Sequence, residues 1–205
     1  MRAMTLSAVL SFLVKGGPVM APLAVCSVLA AAVVLERAWF WWRARAAGDC
    51  DRILELAAAG KWDDAIEHAR ASREVAAPVL VDGLEQRASS PTIAMEGAAR
   101  TTLVRLRRGL PVLDTIVTLS PLLGLLGTVT GMITAFGVMS ASGMSQPHAI
   151  TGGVAEALIA TACGLGIAIV TLVPYNVLSA RVEQAVGEIE RQATRLELLL
   201  RTEAR

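Results

Sequence analysis

The stretch Gly152-Gly153-Val154-Ala155-Glu156-Ala157-Leu158-Ile159-Ala160-Thr161-Ala162-Cys163-Gly164-Leu165-Gly166 decides how this chain is read. It opens an apolar run, 152–178, that meets the ~20-residue length needed to cross a bilayer as a helix. One carboxylate, Glu156, stands inside the run, and no Lys or Arg lies between Arg108 and Arg181. An acid at the bilayer centre costs on the order of 3 kcal/mol even on insertion scales. Such a residue reads as a group that handles protons or other cations. The plainer alternative is an interface-facing residue, because Glu156 enters only a few positions into the run.

Working outward, two further windows, 16–35 and 110–139, are nearly free of charge. The composition agrees: 54% of the 205 residues are hydrophobic and only 4% aromatic, with a net charge of +1. The fold class expected is an all-α integral membrane protein with three transmembrane helices, the second and third extended into a cytoplasmic helical region. The expected layout is an interfacial helix over 1–15, a first span over 16–42, a helical region over 43–109 and a second span over 110–139. A loop over 140–151, a third span over 152–178 and a helical tail over 179–205 complete it. The segment Met4–Val14 is apolar, but Lys15-Gly16-Gly17-Pro18 offers no small-x-small cleavage site, so it reads as interfacial rather than as a signal peptide.

Lys and Arg set the orientation. Two precede the first span, twelve lie between the first and second, none falls in 140–151, and five follow the third. The positive-inside rule therefore puts 36–110 and the tail in the cytoplasm, with the N-terminus and the 140–151 loop on the opposite, periplasmic side. Glu36-Arg37-Ala38-Trp39-Phe40-Trp41-Trp42-Arg43 closes the first span with an aromatic belt, where Glu36 and Arg37 snorkel or pair.

The second span carries Leu119-Ser120-Pro121-Leu122-Leu123-Gly124-Leu125-Leu126-Gly127-Thr128-Val129-Thr130-Gly131-Met132-Ile133. On a helix, Gly124, Gly127, Thr128 and Gly131 share a stripe, and Gly127/Gly131 is a G-x-x-x-G pair that lets helices approach closely. The third span repeats the device with Ala157, Thr161, Gly164 and Ala168. A short connection makes the two spans an antiparallel hairpin, so Glu156, Thr128 and Thr161 can converge. The step from Glu156 to Thr161 turns about 140°, so one line is not required. Asp114, near the cytoplasmic end of the second span, reads as interfacial, held by the helix start or Arg108, with a second cation site as its alternative.

Between the first and second spans, 49–59 and 62–71 read as a helical hairpin around Gly60-Lys61, with Ile53, Leu54, Leu56, Trp62, Ala65 and Ile66 inward. Ser90 and Pro91 start a further helix that runs toward the second span, with kinks at Pro111 and Pro121. The tail keeps a heptad-like apolar stripe at Val182, Val186, Ile189, Ala193, Leu196 and Leu200 that asks for helical neighbours. Cys26, Cys50 and Cys163 are widely separated and read as packing residues. Without a nucleophile–base pair, metal-ligand spacing or cofactor motif, an enzyme is not expected, and neither a resident cofactor nor a nucleic-acid partner is expected.

The strings Leu119–Val129 and Ala155–Gly164, together with Gly16-Gly17-Pro18-Val19-Met20 and Glu36-Arg37, resemble the MotA/TolQ/ExbB proton-channel family, most closely its ExbB and TolQ members. The resemblance covers all three spans. It implies a bacterial inner-membrane homopentamer whose second and third spans line a pore around a dimer of an ExbD- or TolR-like single-span partner. Proton flow through that pore drives work on a TonB- or TolA-like protein. By matched position, Glu156, Thr128 and Thr161 would form the ion pathway. Asp114 joins that pathway only under its cation-site alternative, and the small stripe of Gly124, Gly127, Gly131, Ala157 and Gly164 would pack the helices of such a pore. A passive oligomeric scaffold and a sodium-driven member of the family are the alternatives.

Overall fold

The computed structural model of the protein describes residues 16–44, 48–142 and 147–203, and the expected interfacial helix over 1–15 lies outside them. The described residues form seven helices and no strand. These are α1 (Met20–Arg43), α2 (Asp49–Ala58), α3 (Trp62–Ala71), α4 (Ala77–Glu85), α5 (Pro91–Arg107), α6 (Leu110–Ser142) and α7 (Pro147–Glu203). Three helical stretches are long and apolar enough to cross a membrane, within Met20–Arg43, Pro91–Ser140 and Thr151–Thr202. Only 22%, 22% and 28% of their most apolar windows is buried within the chain, so most of that surface faces lipid or other polypeptide.

Local chemistry sets the boundaries. Gly17 adopts φ 74°, and its carbonyl accepts the Met20 N–H at 3.1 Å, which turns the chain into α1. Gly60, at φ 72°, ends α2 in a Schellman motif. Its N–H donates to Ala57 O and that of Lys61 to Leu56 O, both at 3.0 Å. Pro91 occupies the first turn of α5, with Ser90 at the N-cap position but making no side-chain cap bond. The helix from Pro91 does not run unbroken into the second span. Arg108 and Gly109, the latter at φ 83°, separate α5 from α6. This interruption moves Pro111 from a helix interior, where it would clash with a preceding carbonyl, into the first turn of a new helix. Pro121 remains inside α6 and Pro174 inside α7. Helix also extends further than the expected 140–151 loop allows, since α6 runs to Ser142 and α7 starts at Pro147.

The chain forms two compact units. One contains 16–35 and 111–176, hence the first part of α1, nearly all of α6 and the apolar part of α7. Val19, Met20 and Leu23 of its first segment are buried together, with Leu123, Cys163 and Ile167 packed against them. The second unit contains 36–110 and 177–203, hence the end of α1, helices α2–α5 and the tail of α7.

Ile53, Leu54, Val79, Leu80, Leu84, Leu106 and Leu196 are among the large buried side chains of the second unit. Gly83 is tight there: a Cβ would stand 2.7 Å from Met95 Cγ and 3.0 Å from Leu196 Cδ2. The buried stripe of the tail is Leu178, Val182, Ala185, Ile189, Gln192 and Leu196. Val186, Ala193 and Leu200 of the expected heptad lie at its margin instead, only half-buried. Gln192, being polar, carries no apolar signal for this stripe, yet it is buried. Its amide donates to Glu188 Oε1 at 2.7 Å and accepts from Arg195 Nη1 at 3.1 Å, so burial leaves it satisfied.

Two polar devices tie this unit together. Gly48, which precedes α2, has no side chain to cap the helix. The Glu74 carboxylate does so from the α3–α4 connection, accepting the N–H groups of Asp49 (2.9 Å) and Cys50 (3.0 Å). Burial, with Glu74 beside it, pushes the Cys50 thiol far above its ordinary value, so this cysteine is an inert packing group. Across the unit, Arg195 of α7 pairs with Asp51 of α2 and holds that carboxyl below its usual range.

A candidate ion site on the small-residue hairpin

The site is built on the contact between α6 and α7 within the first unit. Ser120, Gly124, Gly127, Gly131 and Ala135 face Gly164, Thr161, Ala160, Ala157 and Gly153 in antiparallel order. A Cβ at Gly164 would stand 2.4 Å from Ser120 O, and one at Gly124 3.0 Å from Thr161 Cα. At Gly127 it would meet Ala160 Cβ at 2.4 Å, and at Gly131 Ala157 Cβ at 2.8 Å. The backbones therefore meet at distances that larger side chains would forbid. In lipid, where there is no hydrophobic gain from bringing helices together, this packing is the main adhesive. The stripe read from the sequence as Gly124, Gly127, Gly131, Ala157 and Gly164 lies in the seam between the hairpin's own two helices. Leu122, Leu125, Val129, Ile133, Leu158 and Leu165 point out of it, exposed.

The polar residues take separate positions on this frame. Thr161 Oγ1 donates across the seam to Gly124 O at 2.8 Å, and Thr128 Oγ1 turns back to Leu125 O of its own helix at 2.7 Å. Neither hydroxyl is hydrogen-bonded to Glu156 among the described residues. Glu156, half-buried, lies instead against the start of α1. A Cβ on Gly17 would fall 1.9 Å from Glu156 Oε1 and 2.9 Å from its Cδ, so the carboxylate occupies space that only glycine leaves open. This is close to the N-terminal end of α1, where a helix dipole favours a negative group. Asp114 is exposed near the start of α6, and its backbone carbonyl accepts the Thr118 hydroxyl at 3.1 Å.

Two participants were missed in the sequence. Gly17 has no role of its own in the sequence reading, where it counts only toward the missing cleavage site and the family resemblance; its left-handed backbone is one that glycine adopts without strain. Ser120 was read as part of a motif without a role of its own. It is fully buried in the seam, with its hydroxyl unpartnered among the described residues.

Residues 68–191, which include all of α6 and α7 as far as Arg191, match the sequence profile of the MotA/TolQ/ExbB proton channel family. The chain belongs to that family. Similarity to the biopolymer transport protein ExbB-like 1 of Synechocystis sp. is 37% identity over 201 residues, covering 91% of this chain and 77% of the relative. ExbB-like 3 of the same organism is 34% identical over 194 residues, covering 91% and 92% of the two chains. The Tol-Pal system protein TolQ of Pseudomonas aeruginosa is 38% identical over 110 residues, half of this chain and 48% of that one. Together with the three apolar helices, these relatives make the chain an ExbB/TolQ-type membrane protein of the bacterial inner-membrane kind. The family is one of channels, not of enzymes.

Proposed function

We propose that the chain is the pore-forming subunit of a proton-driven inner-membrane motor of the ExbB/TolQ kind. Five copies surround a dimer of an ExbD- or TolR-like single-span protein, and the complex converts ion flow into work on a TonB- or TolA-like envelope-spanning protein. The observation that carries this reading is Glu156, a lone carboxylate on the third apolar helix, seated beside a hairpin whose own packing uses up its glycines and its Thr161 hydroxyl. A scaffold would need the small seam but not the acid. One elementary charge crossing the membrane gains about 2.3 kcal/mol per 100 mV, which is the energy such a carboxylate would pass on. In this reading Thr128 and Thr161 line the ion pathway, Thr161 through the acceptor side of a hydroxyl whose proton goes to Gly124 O, and Asp114 marks its cytoplasmic end.

Glu156→Gln and Glu156→Ala are expected to abolish proton-coupled activity of the reconstituted complex while leaving helix content and melting behaviour unchanged. Activity retained by both would sink the assignment. The coupling ion is read as the proton because Ala162, not a second hydroxyl, follows Thr161. Loss of activity on sodium removal, with no effect of a protonophore, would reverse that choice.

A further inference from the structure

We propose that an arginine cleft at the C-terminal end of α1 is a phosphate site that takes the headgroup of an anionic phospholipid. The last turns of α1, the α3–α4 connection and Arg105 of α5 enclose a cleft of about 690 Å³, all within the second unit. Its charged lining is Arg37, Arg43, Arg73, Arg105, Glu36 and Glu74. Both carboxylates are already engaged. Glu36 Oε1 accepts Arg37 Nη2 at 2.9 Å, and the two Glu74 oxygens accept the first N–H groups of α2. Among the described residues no ion pair reaches Arg43, Arg73 or Arg105.

Arg37 is the independent sign that an acceptor belongs here. It is only 4% exposed, it donates Nη1 to Arg105 O at 3.2 Å, and its guanidinium lies 4.8 Å from the Phe40 ring centre. Its Nε is buried and has no partner among the described residues. A buried donor left without a partner is unfavourable, the more so on a charged group, so the arrangement calls for a further acceptor. Guanidinium forks match the oxygens of phosphate, and several around one cleft favour a phosphate that carries net charge.

The position supplies the source of that phosphate. Trp39 and Trp42 of the same turns are 58% and 67% exposed, the behaviour of indoles at headgroup depth, and Arg43 stacks 5.4 Å from the Trp39 ring centre. A basic pocket beside an aromatic belt is where an acidic headgroup is held. A zwitterionic choline headgroup would bring its cation toward unpaired arginines.

Binding of phosphatidylglycerol, phosphatidylcholine and inorganic phosphate to the delipidated full-length chain, followed by native mass spectrometry, tests this. Phosphatidylglycerol should be retained roughly tenfold better than phosphatidylcholine, and the Arg43→Gln/Arg73→Gln double variant should lose roughly that preference. Neither side chain is buried, so this variant keeps the fold even if Arg37→Gln does not, and an unchanged melting curve confirms it. Displacement of the lipid by millimolar inorganic phosphate would keep the phosphate site but overturn the lipid as its occupant. Equal retention of the two lipids, or full retention by the double variant, would overturn the site itself.

Discussion

Glu156 and Gly17 are read together, because the carboxylate of one occupies the space where the other lacks a side chain. An alanine at 17 would meet Glu156 Oε1 and also strain a backbone at φ 74°. Gly16 provides the contrast, since its added Cβ meets mainly the flexible Met20 thioether, at 2.5 Å from Cγ and 2.6 Å from Sδ. Gly17→Ala is therefore expected to lower proton flux of the reconstituted complex at least tenfold, and Gly16→Ala to change it little. Shortening the acid by one methylene, Glu156→Asp, should restore part of the flux in the Gly17→Ala background. A purely structural role for Gly17 would show no such rescue. Glu156 itself was legible as soon as the third span was found, because an unpaired charge among apolar residues stands out in any window. Its contact with Gly17 was not legible, since 139 positions separate the two and nothing in either segment names the other.

Among the elements, the hairpin of α6 and α7 and the end of α7 behave differently under substitution. At Gly164 a Cβ would press on the Ser120 carbonyl and on Gly124 backbone atoms, none of which has a rotamer to move away. Gly164→Ala should destabilise the hairpin by about 1–3 kcal/mol, read from denaturant or thermal unfolding in detergent. Gly166, two residues on, has nothing within 4 Å of its Cβ position, and Gly166→Ala should be neutral or slightly stabilising. Spacing sufficed to find this stripe, because helical periodicity puts small residues on one face without knowledge of the partner.

The tail of α7 was less legible. Its buried stripe includes Gln192 and is shifted from the purely apolar heptad, because hydrogen bonds with Glu188 and Arg195 decided the face, not hydropathy. The Arg195–Asp51 pair joins this tail to α2 and depresses the Asp51 carboxyl. A depressed folded-state value means that the contribution is present above the unfolded value of about 3.9 and is lost as pH falls through the folded one. Melting temperatures of the wild type and Asp51→Asn should therefore differ at pH 6 and converge only as the pH falls below the depressed folded value. Because both partners are exposed, the difference should be small and shrink in high salt.

At the scale of the molecule, the orientation inferred from Lys and Arg can be checked directly. In a cysteine-free background, Ser140→Cys at the end of the second span should react with a membrane-impermeant maleimide added from the periplasmic side. Ser89→Cys, between α4 and α5, should react only after the membrane is permeabilised. The reverse pattern would invert the topology. The exposed apolar faces of α1, α6 and α7 leave room for both lipid and further copies, and the proposed pentamer is where those copies would stand.

The sequence by itself determined the three spans, the small stripes, the lone acid and the family resemblance. Each of these is written locally, in runs of hydropathy, in helical spacing or in short motifs. Tertiary structure decided what local signals cannot carry. It seated Glu156 on Gly17, gave the Thr161 hydroxyl to Gly124 and buried Arg37 among aromatic and basic neighbours. Those outcomes depend on which distant backbone leaves space or offers an acceptor, and that is settled only when the helices meet.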